Sequence, residues 1–213
     1  MNIWVGGKRV LKRKKELHVV TTNQQSVEEL IQIVVSIHPY VDVIHIREKA
    51  WPANKIVNTI QRLYQFNVPL EKIMINDRVD VAMVMNVRGA HLATHSLSVS
   101  LVKEYFSSLQ VGCSVHSREE AIAAQRAGAD YCIYGHIFPT VSKATLPPRG
   151  LNSLRSIIEK VDVPIIAIGG ITEDNVTDVL QTGVKGVAVM STIFLSENPL
   201  QAVRNIRNNM ESD

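Results

Sequence analysis

The chain has 213 residues, 46% of them hydrophobic and 20% charged, with 23 Lys and Arg against 20 Asp and Glu for a net charge of +3. A chain of this length and composition buries a substantial core, which excludes both a disordered polypeptide and a small disulfide-stapled scaffold. The charge is too small to imply nucleic acid, and it is uneven: without Lys8, Arg9, Lys12, Arg13, Lys14 and Lys15 the body carries −3.

The opening stretch, MNIWVGGKRVLKRKK, has no apolar h-region and no small-residue cleavage site, so it is not a secretory signal. It is expected to be a flexible basic extension, residues 1–15, ahead of a single domain, 16–213. No later apolar run reaches the length of a membrane span. Cys113 and Cys132 lie in separate apolar runs with no CxxC, so neither a zinc site nor a disulfide framework is expected. A reducing cytoplasm fits that usage.

From Glu16 onward, short β-branched runs alternate with segments of helical periodicity. LHVVT (17–21) is the first strand, and the turn after it, TTNQQS, lacks the glycines of a dinucleotide-binding turn. Ser26 and Glu29 form a capping box ahead of a helix whose Leu30, Ile31, Val34, Val35 and His38 share a face. DVIHIR (42–47), KIMIN (72–76), GAHLA (89–93) and QVGCS (110–114) follow as strands. Ser117 and Glu120 form a second capping box. ADYCIY (129–134), VPIIAI (163–168) and KGVAVM (185–190) complete the strands, and a last helix covers about 200–209. Gly128 and Gly183 suit the left-handed position after a helix.

Eight strands are thus each followed by a helix. Their apolar character is nearly continuous, as in parallel strands covered on both faces. The predicted fold is α/β: a single (β/α)8 TIM barrel with a short basic N-terminal extension. An open doubly wound sheet is the alternative.

Reaction sites of such barrels lie at the C-terminal ends of the strands. The sharpest signal there is AIGGITEDN (167–175), where two glycines follow a buried strand and Thr172 opens a helix. The amides of Gly170 and Ile171, with the positive helix end, suit an anion. The next strand ends in VMSTIF (189–194), whose Ser191 and Thr192 amides face the same spot. Phosphate binding is therefore assigned to Gly169, Gly170, Ile171, Met190 and Ser191. At other strand ends Arg47 and Lys49 flank Glu48 and suit a phosphate or carboxylate. Asn76 could orient a ring, and Ser114 and His116 form a second polar wall. The loop 139–150 carries Lys143 and Arg149 and suits a mobile lid. His18, His38, His45, His91 and His95 never fall into a paired metal spacing and read as structural; no metal or cofactor is expected.

The run of motifs resembles the thiamine phosphate synthase superfamily. IHIREK (44–49), INDRVDVA (75–82), SVHSREEA (114–121), AGADYCIYGHIFPT (127–140) and PIIAIGGITEDNV (164–176) occur in its order and spacing. The resemblance implies one of two activities: a synthase coupling a pyrimidine pyrophosphate to a thiazole phosphate with Mg²⁺, or the TenI branch, a thiazole tautomerase. The synthase pattern has an Asp at the position of Asp77, a second after strand four where this chain has Ser96, a Gln where it has His45, and Gly-Pro where it has Gly135-His136. A lone carboxylate is a poor Mg²⁺ site, and a His at 136 resembles the TenI branch. The expected function is therefore an isomerase of thiamine biosynthesis, with His136 as the catalytic group carrying a proton from ring carbon to exocyclic carbon. Its substrate would be a small phosphorylated thiazole, with no nucleic acid and no membrane as partner, and the resemblance adds a homodimer. The alternatives are the synthase itself and a non-catalytic, regulatory thiazole phosphate-binding protein.

Overall fold

The structure is a computed structural model and describes residues 2–5, 8–11, 14–140 and 143–211, with only the backbone for the first two segments. In the basic extension, β1 (Asn2–Val5) pairs antiparallel with β2 (Lys8–Leu11). Lys12 and Arg13 of the predicted tail lie outside the described residues, as do Val141 and Ser142 of the predicted lid.

The eight predicted strands are all present: β3 (Glu16–Val20), β4 (Val43–Ile46), β5 (Ile73–Asn76), β6 (Gly89–Leu92), β7 (Gln110–Val115), β8 (Tyr131–Gly135), β9 (Ile165–Ile168) and β10 (Gly186–Val189). Every neighbouring pair is parallel, and β10 pairs with β3 to close the ring. This is a (β/α)8 TIM barrel, and closure removes the open-sheet alternative. The helices α1 (Val27–Ile37), α2 (Ala53–Gln65), α3 (Val79–Val84), α4 (Val99–Tyr105), α5 (Arg118–Arg126), α6 (Gly150–Ile158), α7 (Val176–Leu180), α8 (Ser191–Phe194) and α9 (Pro199–Glu211) follow the strands. Among the described residues no helix is long and apolar enough to cross a membrane.

The strands read as unbroken apolar runs because both faces are buried, yet the period of two survives as two separate cores. Leu17, Val19, Ile44, Ile46, Ile73, Ile75 and Val187 point outward under the helices. Val20, Val43, Met74, Tyr131, Ile133, Ile166 and Ala188 point to the barrel axis. Gly112 shares that inward parity, and a Cβ there would strike the Tyr131 ring, so the glycine makes room for the barrel's largest interior side chain.

Local signals hold with small shifts. Ser26 and Glu29 cap α1 reciprocally. The buried face of α1 is Leu30, Ile31, Val34 and Ile37; His38 falls in the 3-10 turn that follows. Ser117 accepts the Glu120 N–H as predicted, but the Glu120 carboxylate takes the His116 N–H instead, at 2.7 Å, one residue earlier than the predicted box. Gly128 and Gly183 are left-handed, at φ +88° and +97°.

Candidate active site

A cavity of about 270 Å³ opens at the C-terminal ends of the strands. Its floor is the last inward-pointing layer of the barrel, including Val20, His45, Asn76, Ile133, Ile168 and Ala188. The structure brings Arg47, Asn76, Ser114, His116, His136, Lys143, Gly169, Gly170, Ile171, Met190 and Ser191 together around it. Two predicted residues do not reach the lining. Lys49 is exposed outside it. Glu48 is 5% exposed, and neither carboxyl oxygen has a hydrogen-bond partner. Burial raises its pKa.

The anion corner is built from backbone. Gly170 has φ +67°, and a Cβ would lie 2.5 Å from the Pro139 carbonyl oxygen and 2.8 Å from the Phe138 Cβ. The amides of Gly170 and Ile171 belong to no strand ladder and meet no acceptor among the described residues. The first amides of α8, those of Ser191 and Thr192, have no intrahelical acceptor. The Thr192 hydroxyl donates to the Ile171 carbonyl at 2.8 Å, which ties the two loops together. The expectation of a helix opening at Thr172 needs correcting. The Thr172 amide donates to Asn175 Oδ1, Asn175 Nδ2 donates to the Gly170 carbonyl, and α7 starts only at Val176. Loop amides, not the end of α7, define this corner.

Across the ring, β4 and β5 supply side chains. Thr21 Oγ1 accepts the Arg47 backbone N–H at 2.8 Å, fixing the turn from which the guanidinium enters the lining. Lys143 enters from the loop after β8; burial, then Arg149, lowers its pKa. Neither cation is in a salt bridge among the described residues. His136 is buried and donates Nε2–H to the Leu146 carbonyl at 3.2 Å, while its own carbonyl accepts from the Arg149 amide. Its ring thus pins the returning half of the loop to the cavity wall. His116 sits at the rim, 3.3 Å from Glu120.

His45 and His91, read from sequence as structural, also line the cavity. His91 bridges Ser114 Oγ (2.9 Å) and the Tyr131 hydroxyl (3.2 Å), and burial lowers its pKa to about 3. The missed signal was alternation: Val43 points inward, so His45 must as well. Thr140 is a further lining residue that had not been assigned to the site.

A hard divalent cation needs clustered oxygen ligands, with Mg²⁺ commonly taking one or two carboxylates plus substrate phosphates. Asp77 follows β5 with its side chain 45% exposed, and a carboxyl oxygen lies 3.8 Å from His95 Nε2. Ser96 Oγ accepts the Ala93 amide at 2.8 Å. Among the described residues no three His, Cys, Asp or Glu side chains cluster suitably for a metal. This corner does not supply a two-carboxylate site.

The family described as Thiamine monophosphate synthase matches residues 17–193. A curated thiamine-phosphate synthase of Pyrococcus furiosus is 34% identical over 202 residues, covering 94% of this chain and 97% of its own. One from Methanococcus maripaludis is 33% identical, covering 92% and 94%. The solved thiamine phosphate pyrophosphorylase from Pyrococcus furiosus superposes with a TM-score of 0.79 at 33% identity, covering 94% and 97%. A 3-hexulose-6-phosphate synthase at 17% identity and TM-score 0.73 shares the fold alone. The named synthases overturn the tautomerase expectation and its isomerase class. Ser96 and His136 were read as marks of the TenI branch, but relatives matched over nearly the whole chain carry the transferase's name. The two-step proton transfer assigned to His136 falls with that reading.

Proposed function

This chain belongs to the thiamine monophosphate synthase family, and we propose that it is itself a synthase, joining a pyrimidine pyrophosphate to a thiazole phosphate with release of pyrophosphate. The observation that carries this reading is the near-full-length match to named synthases. The site geometry supports it. The ring order sets β9 opposite β5, so the amide cradle after β9 and β10 faces the Arg47–Asn76 rim across one cavity.

In this arrangement the thiazole phosphate sits on the Gly170, Ile171, Ser191 and Thr192 amides. The pyrimidine lies against the β4–β5 rim. A C–N bond to the thiazole nitrogen forms as the C–O bond to pyrophosphate breaks, and negative charge builds on the leaving group. Arg47 and Lys143 are the lining cations that meet this charge, an electrostatic role suited to phosphoryl leaving groups. The apolar floor of Val20, Ile133, Ile168 and Ala188 excludes water that would otherwise capture the reacting carbon. His136 serves by holding the loop that carries Lys143. Asp77 alone does not complete a two-carboxylate magnesium site, so no step here runs through the ion.

The test is direct. Purified protein is incubated with the pyrimidine pyrophosphate and the thiazole phosphate, with and without added Mg²⁺, and thiamine phosphate and pyrophosphate are quantified. Equimolar products at an enzymatic rate are expected; their absence would refute the assignment.

A further inference from the structure

One hydrogen-bonded row crosses three neighbouring strands inside the barrel and takes no part in the chemistry above. His91 on β6, Gly112 on β7 and Tyr131 on β8 are register partners in turn. Gly112 has no side chain, so His91 and Tyr131 meet over it. Their ring centroids are 5.8 Å apart, and His91 Nδ1 is 3.2 Å from the Tyr131 hydroxyl oxygen. A Cβ on Gly112 would come 2.4 Å from that oxygen. On the far side of its ring, His91 Nε2 is 2.9 Å from Ser114 Oγ. His91 and Tyr131 are buried, and Ser114, which shares the inward parity of Gly112, lines the cavity.

We propose that Tyr131 and His91 are positioning residues that make Ser114 a one-way donor: the Tyr131 hydroxyl donates to His91, His91 donates to Ser114, and the Ser114 hydroxyl donates into the cavity, to a ring nitrogen of the pyrimidine. The identity of that ligand rests on the synthase reading; the direction of the bonds does not.

The direction follows from which hydrogens have an acceptor. Burial pushes the Tyr131 phenol pKa up, so the hydroxyl keeps its proton. Among the described residues, His91 Nδ1 is the one group hydrogen-bonded to that hydroxyl. The phenolic hydrogen therefore points at Nδ1, which must be bare. Burial holds His91 at a pKa of about 3, so the neutral ring carries its single proton on Nε2. That N–H donates to Ser114 Oγ, and the serine hydrogen has to turn elsewhere. Ser114 Oγ has no second partner among the described residues, so its hydrogen is left for a ligand. The reverse order, Ser114 to His91 to Tyr131, would strand the phenolic hydrogen in the interior without an acceptor, which is costly. The same rule selects the ligand atom. A ring nitrogen of a neutral pyrimidine has a bare lone pair and accepts. The thiazole nitrogen also accepts, but its lone pair forms the new C–N bond, and a hydrogen bond to it would oppose the reaction.

The experiment uses the full chain with ¹⁵N-labelled histidine. Long-range ¹H–¹⁵N correlations assign the ring tautomers, and calorimetry measures binding of the pyrimidine pyrophosphate to the unsubstituted protein, Tyr131→Phe, Ser114→Ala and the double variant. In the unsubstituted protein, His91 should be neutral with the proton on Nε2. Tyr131→Phe keeps the ring and removes the donated hydrogen, so a second His91 tautomer should appear. Ser114→Ala should weaken pyrimidine pyrophosphate binding about 3- to 10-fold, the weight of one hydrogen bond, and Tyr131→Phe about 3- to 5-fold. The double variant should bind no more weakly than Ser114→Ala alone, because Tyr131 acts through the serine. Thiazole phosphate affinity should be unchanged in all three. A proton on His91 Nδ1 in the unsubstituted protein would overturn the proposal without any variant having to fold. So would a double variant in which the two losses multiply, the mark of a tyrosine that only packs, or a Ser114→Ala protein with unaltered affinity. The expected pattern in a protein that makes no thiamine phosphate would uphold the row of bonds and refute the synthase reading.

Discussion

The two ends of the barrel treat polar groups in opposite ways. At the closed end they are paired within the chain. Asp42 accepts from the Leu17 amide, Lys14 and Arg207. Lys72 donates to the carbonyls of His38 and Val41, and Asp130 accepts from Lys103 and the Val111 amide. His38 Nδ1 is an exception. At the open end, the Gly170 and Ile171 amides, the side-chain cations of Arg47 and Lys143 and Asn76 Oδ1 lack partners among the described residues. Unpaired buried polar groups cost stability, so a surplus at one end marks where a ligand completes the pairing. Removing an unpaired side chain at the open end should cost activity with little change in stability, and substitutions at the closed end should do the reverse.

The largest effect should come from Gly170→Val. Its side chain would enter space held by Phe138 and Pro139 in a backbone conformation that β-branched residues avoid. Thiazole phosphate binding, read by calorimetry, should fall at least about 100-fold, as expected when an anion loses several amide donors. Near-normal affinity would mean that the phosphate sits elsewhere. Next comes Arg47→Ala. It should lower kcat/KM for the pyrimidine pyrophosphate about 10- to 100-fold, the range of one charge-assisted bond, with the melting temperature within about 2 °C, since the removed guanidinium bonds nothing among the described residues. An equal loss of stability would erase the contrast between the ends.

Asp42→Asn is the closed-end counterpart. Burial raises the Asp42 pKa, but Arg207, the Leu17 amide and Lys14 outweigh it and hold the carboxyl at about 2. A depressed carboxylate stabilises the fold above its unfolded pKa, near 4, and that stability is lost as pH falls toward 2. At pH 7 the variant should be about 1–2 kcal/mol less stable in urea titrations, and the gap should close between about pH 4 and 2, with kcat/KM at neutral pH unchanged. A pH-independent gap would show that the carboxylate's charge is not what matters. The smallest effect belongs to Ser191→Ala. Backbone donors survive the substitution, so affinity for the thiazole phosphate should change less than about twofold. A large loss would move recognition from the Ser191 amide to its hydroxyl.

Legibility in the sequence followed the same division. The eight strands could be read from their β-branched runs, and their ends shifted by only a residue or two, because burial on both faces leaves each run unmistakable. That same burial hid which residues face the axis. His45 lies in a run of valine and isoleucine with no polar alternation to mark its parity, so its place on the cavity floor emerged only with the register. Gly170 was legible because its chemistry is backbone chemistry. Glu48 was not, because a charged residue between Arg47 and Lys49 looks solvated, whereas the turn after β4 buries it. The branch of the family was misread from three positions, His45, Ser96 and His136. Ser96 hydrogen-bonds the Ala93 amide of its own turn, and the His136 ring holds the Leu146 carbonyl; neither contact distinguishes isomerase from transferase.

The seam where β10 meets β3 joins Gly186 to Glu16, the two extremes of the barrel in sequence. Contacts so distant along the chain close slowly, after local units have formed. The Arg47–Asn76 rim, proposed for the pyrimidine, is encoded in the first half of the chain, and the Gly170–Ser191 cradle, proposed for the phosphate, in the last quarter. A ribosome-bound chain would therefore display the rim well before the cradle exists. Recognition of both substrates at once should begin only when the seam zips shut, which makes dual-substrate binding a reporter of complete synthesis and closure.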